Sequence, residues 1–287
     1  MSVIAKIVQA ISILLHGEQK TIANITKLPQ SELLKNRCAF ISGGTGGIGL
    51  AIAESFLEAG ASVIIAGRNK ERMDKAIETL GDKGTVLGIL LDCTKPATFS
   101  DMLSGALNQT RQKGIPYIDI LVNNAGVNGA SMPHASETDY DKILDTNLKG
   151  TYFLSQIFGE YWKANNIHGN ILNIASASSL RPANSPYTLS KWGIRGLTLG
   201  LAKAMGKDGI TVNGIAPGPT ATPMMGISGS DNIRLERLPL GRYILPEEIA
   251  NMAVLLVSEM GRSVMGDLVY MTGGAGLLTY DDVNYSL

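Results

Sequence analysis

A chain of 287 residues with 45% hydrophobic side chains is long enough to bury one substantial core. Lys plus Arg and Asp plus Glu number 25 each, so the formal charge is zero; this excludes the basic stripe of a nucleic-acid binder and the charge block of a disordered tail. The only cysteines, Cys38 and Cys93, sit beside apolar runs and share no metal-ligand spacing with His16, His134 and His168, so buried, reduced thiols in a cytoplasmic protein without a metal are expected.

Residues 1–35 read as an extension ahead of a single domain at residues 36–287. Ile4, Ile7, Val8, Ile11, Leu14 and Leu15 recur at helical spacing, interrupted by Lys6 and Gln9. The run is too short to span a bilayer, and the residues after His16 make a poor signal-peptide cleavage site. A helix packed on the domain or on a neighbouring subunit is favoured over membrane contact through residues 1–16 and over a disordered leader.

From residue 37 the pattern becomes regular. An apolar run at 37–42, expected as a buried strand, enters Gly43-Gly44-Thr45-Gly46-Gly47-Ile48-Gly49 and then a helical run at 50–59. Glycines between strand and helix permit a tight turn, let the backbone approach a pyrophosphate and leave helix amides facing phosphates. Gly44, Gly46 and Gly49 fit G-x-G-x-x-G, while Gly43, Gly47 and Gly49 fit G-x-x-x-G-x-G. A purely structural turn is the competing reading.

A second strand at 61–66 ends in Gly67-Arg68-Asn69-Lys70. An enzyme using NAD usually places Asp or Glu there for the ribose hydroxyls. This chain has no carboxylate at that point, and Arg68 offers a guanidinium to a 2′-phosphate. NADP(H) is therefore favoured, with NAD(H) the alternative; Asn69 and Lys70 either add contacts or start the next helix. Helix 73–80, strand 86–91, helix 97–113 and strand 117–122 continue the alternation of a parallel sheet. Asp92 follows the third strand at the edge where ligands bind, and either accepts from an adenine amino group or caps the next turn. Asn123-Asn124-Ala125-Gly126 follows the fourth strand.

In the second half, strand 170–175 runs into Ser176, and a helix at 187–204 carries Tyr187 and Lys191. Four residues apart, these two share one helix face. A free tyrosine titrates near pH ~10; a unit positive charge about 4 Å away at an effective dielectric of ~20 contributes roughly 4 kcal/mol, enough to bring that titration to about pH 7. Such pairs also arise by chance as a half-buried ring beside a solvated charge. Strand 210–216 ends at Pro217-Gly218, and residues 223–231 mix Met224, Met225 and Ile227 with glycines, the make-up of a mobile lid or of an inert loop. Helix 246–260 and strand 267–271 complete the alternation. Around Asn147 and Tyr187 the helices carry Tyr152, Phe153, Phe158, Trp162, Trp192 and Leu199, more apolar face than one sheet covers, which points to a subunit interface or to burial within one subunit.

Together these stretches resemble the classical short-chain dehydrogenase/reductase family from about residue 36 to residue 276. Ser42-Gly43 with Gly47-Ile48-Gly49 is similar to its TGxxxGIG, with Ser for Thr; Asn123 to Gly126 is identical to its NNAG. Asn147 matches the active-site asparagine, Ser176 the catalytic serine, and Tyr187 with Lys191 the YxxxK pair. Asn213 with Pro217-Gly218 resembles N-x-x-x-P-G, and Thr222 falls at the downstream threonine. Ser176 precedes Tyr187 by 11 positions, about two fewer than is common in the family, and the last strand ends in Val269-Tyr270-Met271-Thr272 rather than V-D-G-G.

The resemblance implies a single-domain, Rossmann-like, doubly wound α/β fold with a mainly parallel sheet of about seven strands. It implies NADP(H)-dependent interconversion of a ketone and a secondary alcohol; a 3-oxoacyl thioester, a steroid, a sugar or a small xenobiotic ketone are compatible small-molecule substrates, and Met224, Met225 and Ile227 favour the thioester, steroid or other apolar ketone. Tyr187 would be the general acid/base and Ser176 the donor to the carbonyl oxygen. Lys191 would lower the tyrosine pKa and hold the ribose, and Asn147 would position a water relaying protons to Lys191 or satisfy backbone in a helix kink. Cofactor contacts are expected from Gly43, Thr45, Gly46, Gly47, Ile48 and Gly49, from Arg68, Asp92 and Cys93, from Asn124, Ala125 and Gly126, from Tyr187 and Lys191, and from Pro217, Gly218, Thr220 and Thr222. A homo-oligomer, tetramer or dimer, is implied. The alternative function is a cofactor-sensing regulator or scaffold without turnover.

Overall fold

The computed structural model describes residues 32–227 and 232–276. Seven strands, β1 (Cys38–Ser42), β2 (Ser62–Gly67), β3 (Val86–Leu90), β4 (Ile120–Asn123), β5 (Asn170–Ile174), β6 (Thr211–Pro217) and β7 (Leu268–Met271), form one sheet in the order β3-β2-β1-β4-β5-β6-β7. Every neighbouring pair is parallel, so the expected mainly parallel sheet is wholly so. Parallel neighbours need crossovers. These are built from α1 (Gly47–Glu58), α2 (Lys70–Leu80), α3 (Phe99–Gln112), α4 (Glu137–Leu144), α5 (Gly150–Asn165), α6 (Pro186–Met205) and α7 (Pro246–Val257).

The strands are apolar on both faces because both are covered. Ala39 and Ile41 of β1 join a core with Ile52 and Phe56 of α1 and Ile249 and Val254 of α7. Cys38 and Phe40, alternating with them, face Phe99 and Leu103 of α3 and Phe158 and Trp162 of α5. Trp162 is fully buried, and its indole N–H donates to the Ile118 carbonyl at 2.7 Å, so the largest core side chain leaves no orphan donor. Leu34, ahead of the expected domain start, is fully buried in the first core, and its N–H donates to the Ala59 carbonyl (2.8 Å).

The chain leaves β1 toward β2 and β3, then returns to β4 on the other side of β1. This reversal opens a crevice at the carboxyl ends of β1 and β4, where an open α/β sheet binds its ligands. The helix over Asn147 is not continuous: α4 passes through a π turn, Asp145–Lys149, into α5. Helix 97–113 begins as a separate 3₁₀ turn, Pro96–Thr98, and α7 stops at Val257, where Ser258 turns to extended backbone. The expectations for residues 1–31, membrane contact included, lie outside the described residues, as do residues 228–231 of the expected lid. Among the described residues no helix is long and apolar enough to cross a membrane.

Candidate active site

The glycine turn is held by contacts that side chains would break. Gly43 (φ +68) and Gly47 (φ +54) are left-handed, and a Cβ at Gly49 would lie 2.4 Å from both the Gly43 carbonyl oxygen and the Asn124 amide nitrogen. The amides of Asn124 and Ala125 donate to Ser42 Oγ (3.1 and 3.2 Å), and Asn124 Nδ2 donates to the carbonyls of Ser42 and Gly43 (3.2 and 3.0 Å). The NNAG stretch is therefore the brace of the turn. α1 then starts with no side-chain cap and no acid in its first turn, so its amides and positive dipole end are available to an anion. Ile48 packs its side chain on the core, and an added Cβ at Gly46 would meet nothing within 4 Å, so the fold does not itself require glycine there.

Beside the turn lies a cleft of about 250 Å³ whose lining includes Gly43, Thr45, Arg68, Arg72, Asp92, Cys93, Ala125, Gly126, Val127 and Thr146. Arg68 is where the sequence predicts it. Arg72 and Thr146 were not predicted. Arg72 was legible as a second guanidinium four residues after Arg68, while Thr146, beside Asn147, has a buried hydroxyl with no partner. Asn69 and Lys70 both take part in starting the helix, and Asn69 also lines the cleft. The Asn69 side chain caps α2 by accepting from the Arg72 N–H (2.8 Å), and Lys70 pairs with Asp74 (2.7 Å). Asp92 also caps, Oδ1 accepting from the amide and hydroxyl of Thr94 (3.0 and 2.8 Å). Burial pushes its carboxyl up, but the Thr94 hydrogen bonds, then Lys95 and Arg68, outweigh that and hold it below the usual range. Cys38 and Cys93 are free and buried, their thiols pushed up to about 12, chiefly by desolvation.

On the far side of the crevice Ser176 follows β5. Its Oγ accepts from the Ser178 N–H (3.1 Å), which leaves its own proton to donate, and the hydroxyl is close enough to the Tyr187 phenol to pull its titration down. Tyr187 stands in the first turn of α6, which Ser185 caps by accepting from the Thr188 N–H (3.1 Å). Lys191, one turn on, is buried; its Nζ donates to the Ile174 carbonyl (2.8 Å) and lies 5.6 Å from the centre of the Tyr187 ring.

The electrostatics of this pair differ from the sequence expectation. Burial pushes the Tyr187 phenol above its usual range, with the Ser176 hydrogen bond opposing only in part, so the lysine does not lower it here. Burial also pushes Lys191 down from 10.5 to about 8. The ammonium lies beside the ring and is tied to a backbone carbonyl, and desolvation of each charged form sets the direction of both shifts.

Asn147, in the π turn, is fully engaged. Oδ1 accepts from the Val127 N–H (2.8 Å), and Nδ2 donates to the Val127 carbonyl (3.0 Å) and to Ser190 Oγ (3.1 Å). Ser190 in turn donates to the Tyr187 carbonyl (2.7 Å). The side chain thus locks the loop after β4 to the helix that presents Tyr187, satisfying backbone in that loop rather than in the kink itself. At the end of β6, a Cβ at Gly218 would lie 2.5 Å from the Thr272 carbonyl oxygen, so packing against the segment after β7 demands glycine beside Pro217. Thr220 donates to the Gly218 carbonyl (2.9 Å), whereas the Thr222 methyl comes within 3.6 Å of a Cβ placed at Gly47 and so reaches the glycine turn. Met224 and Met225 follow in an exposed 3₁₀ turn, Pro223–Met225. Among the described residues no group of three His, Cys, Asp or Glu could hold a metal.

These groups fit a phosphate-bearing dinucleotide. Two guanidinia, Gly43, whose added Cβ would lie 2.9 Å from the Ala125 Cα, and an unpartnered buried hydroxyl line the cleft, and the uncapped amides of α1 begin just past Thr45 of that lining. Residues 37–232 match the family model for short chain dehydrogenases. The chain is 37% identical to a 3-oxoacyl-acyl-carrier-protein reductase of Chlamydia muridarum, over 85% of this chain and 99% of that one. It is 34% identical to a 3alpha-hydroxysteroid dehydrogenase of Mediterraneibacter gnavus, over 85% and 98%. A crystal structure of a putative 2-deoxy-d-gluconate 3-dehydrogenase from Agrobacterium tumefaciens with bound NADP superposes with a TM-score of 0.75 at 35% identity, covering 86% of this chain and 98% of that one.

Proposed function

The chain belongs to the short-chain dehydrogenase family and is an oxidoreductase of ketones and alcohols; from that premise we propose that it works with NADP(H) and uses Tyr187 as its proton carrier. The observation that carries the mechanism is the convergence of Ser176, Tyr187 and Lys191 at the sheet edge beside the glycine turn. Hydride transfer is the chemistry the bound nucleotide supplies. The turn at Gly43 to Gly49 and the open amides of α1 would hold its pyrophosphate, and Arg68 and Arg72 its 2′-phosphate. A carboxylate is lacking at the end of β2, which supports NADP(H) over NAD(H), as does the NADP in the Agrobacterium structure.

Ser176 donates to the substrate carbonyl oxygen as charge develops there. A phenol titrating above its usual range is protonated at neutral pH, the form needed to protonate that oxygen in reduction. Lys191, near 8, is charged below that pH, and the Ile174 carbonyl holds its ammonium 5.6 Å from the centre of the tyrosine ring. Asn147 acts by position, through Val127 and Ser190. The exposed Met224 and Met225, with the named substrates of the reductase and steroid dehydrogenase relatives, support an apolar ketone or oxoacyl thioester. The exposed Tyr152 and Phe153 of α5 and Leu189, Trp192 and Leu199 of α6 support a homo-oligomer.

The test is oxidation of NADPH and of NADH by the purified protein across ketones and acyl thioesters. Turnover preferring NADPH is expected; preference for NADH overturns the cofactor assignment, and tight binding with no turnover leaves a sensor as the function.

A further inference from the structure

The loop between Ser176 and Tyr187 is tied down along most of its length. The Ser179 N–H donates to the Ser176 carbonyl (3.0 Å), Trp192 Nε1 to the Arg181 carbonyl (2.8 Å) and Arg195 Nη1 to the Ser179 carbonyl (3.3 Å). From the loop after β4, the Met132 N–H donates to the Asn184 carbonyl (3.0 Å). Pro182 restricts the residue before it to extended backbone, and Arg181 takes φ −104, ψ 152 accordingly. The backbone that carries Arg181 is therefore fixed from three sides.

Its side chain is treated differently. Arg195 lays its guanidinium over the Trp192 ring at 5.3 Å and spends a donor on the loop. The Arg181 guanidinium is exposed and, among the described residues, enters no ion pair and no side-chain hydrogen bond. It is nonetheless close to the reacting edge. The point where a Cβ would stand on Gly276 is 3.5 Å from Arg181 Nε and 3.9 Å from the carbonyl oxygen of Ala177, the residue after Ser176. The guanidinium thus stands beside the turn that presents the serine and the segment following β7.

A rigid fork of N–H donors on a fixed loop suits a planar or tetrahedral oxyanion that it can grip with two bonds. We infer that Arg181 reads an anionic group of the substrate, so that the preferred ketone carries a carboxylate or a phosphate ester. This rests on the ketone-reductase reading above and, within it, selects a charged oxo acid or oxoacyl thioester over an uncharged apolar ketone. The competing account, an arginine that only hydrates the surface, makes turnover indifferent to substrate charge at this residue.

Matched pairs of ketones separate the two: 4-oxopentanoate beside its methyl ester, and acetoacetyl-coenzyme A beside the neutral acetoacetyl thioester of N-acetylcysteamine. The first pair tests a carboxylate and the second a phosphate. The wild-type protein is expected to favour the charged member of one pair by tenfold or more in kcat/KM. Arg181→Ala should erase that preference through KM, and Arg181→Lys should restore part of it. The neutral members and the Kd for NADPH should change less than about twofold. No charge preference in the wild type, or equal losses on both members, overturns the inference while leaving the reductase reading intact. Should none of the ketones turn over, the reductase reading fails, and binding of the same pairs to the NADPH complex, followed by tryptophan fluorescence, still decides: charged-member binding abolished by Arg181→Ala supports the inference, and equal binding of both members refutes it.

Discussion

The two edges of the sheet both hold buried charge, and they treat it in opposite ways. At the amino edge Arg37 is saturated: Nε pairs with Asp119, Nη2 donates to Asn170 (2.5 Å) and Nη1 to the Val257 carbonyl (3.3 Å), while Asp119 also accepts from the Cys38 N–H (2.8 Å). At the carboxyl edge Lys191 has one carbonyl, Thr146 has no partner, and Arg68, Arg72 and Arg181 enter no salt bridge among the described residues, although Arg68 is near enough to Asp92 to steady its charge. The larger concavity, about 480 Å³, lies at the saturated edge, where Arg37, Asp119 and Asn170 line it. Unmet polarity, rather than volume, marks the edge to which the chemistry is assigned above, because a fold that leaves such groups unpaired forgoes stability that a ligand can return.

Substitutions of opposite consequence at the two edges test this. Tyr187→Phe removes only the proposed proton-transfer group and should lower kcat by about 100- to 10,000-fold while the Kd for NADPH stays within roughly twofold. Near-normal turnover would remove Tyr187 from the mechanism. Asp119→Ala should do the reverse. It strands the Arg37 charge and the Cys38 N–H, so a loss of about 3–5 kcal/mol in denaturant unfolding is expected, with kcat of the folded enzyme unchanged at 25 °C. A kinetic effect larger than the stability effect would mean that the amino edge is not merely structural.

Lys191 sharpens the contrast, since its burial is a cost. Its folded pKa, about 8, lies below the ordinary 10.5, so the unfolded chain binds the proton more tightly. The penalty is complete below about pH 8 and vanishes above 10.5, and this group makes stability rise with pH across that window. Lys191→Met should therefore stabilise the protein by about 3 kcal/mol at neutral pH and flatten the rise between pH 8 and 10.5, while turnover collapses. Unfolding curves of both proteins at pH 7 and pH 10 decide; a destabilised variant at pH 7 would show that the buried ammonium is compensated.

What was legible in the sequence was what a local pattern encodes. The seven strands follow from apolar runs between turn residues, and the glycine turn from its place between a strand and a helix. The π turn was not legible, because it exists for a long-range reason: Asn147 must reach Val127, 20 positions back, and Ser190, 43 ahead. The same holds for the Tyr187 and Lys191 electrostatics. Helical spacing placed the two on one face, but the carbonyl that takes the ammonium belongs to Ile174, 17 positions away on another strand, and the burial that shifts both groups is a property of the assembled domain.

The smallest expected effect concerns the pair of guanidinia in the cleft. Arg68→Asp places a carboxylate where an NAD-dependent enzyme has one and removes a charge-assisted partner of a 2′-phosphate. Such a bond is worth about 1.5–3 kcal/mol, which predicts a roughly 10- to 100-fold fall in the NADPH/NADH ratio of kcat/KM. Arg72 makes the outcome informative, because it lines the same cleft from the first turn of α2. An unchanged ratio in Arg68→Asp with a fall in Arg72→Ala would move the reading of the phosphate one helical turn along the chain. An unchanged ratio in both, and in the double variant, would mean that these unpaired cations serve no nucleotide. The carboxyl edge would then differ from the amino edge in its catalytic groups alone.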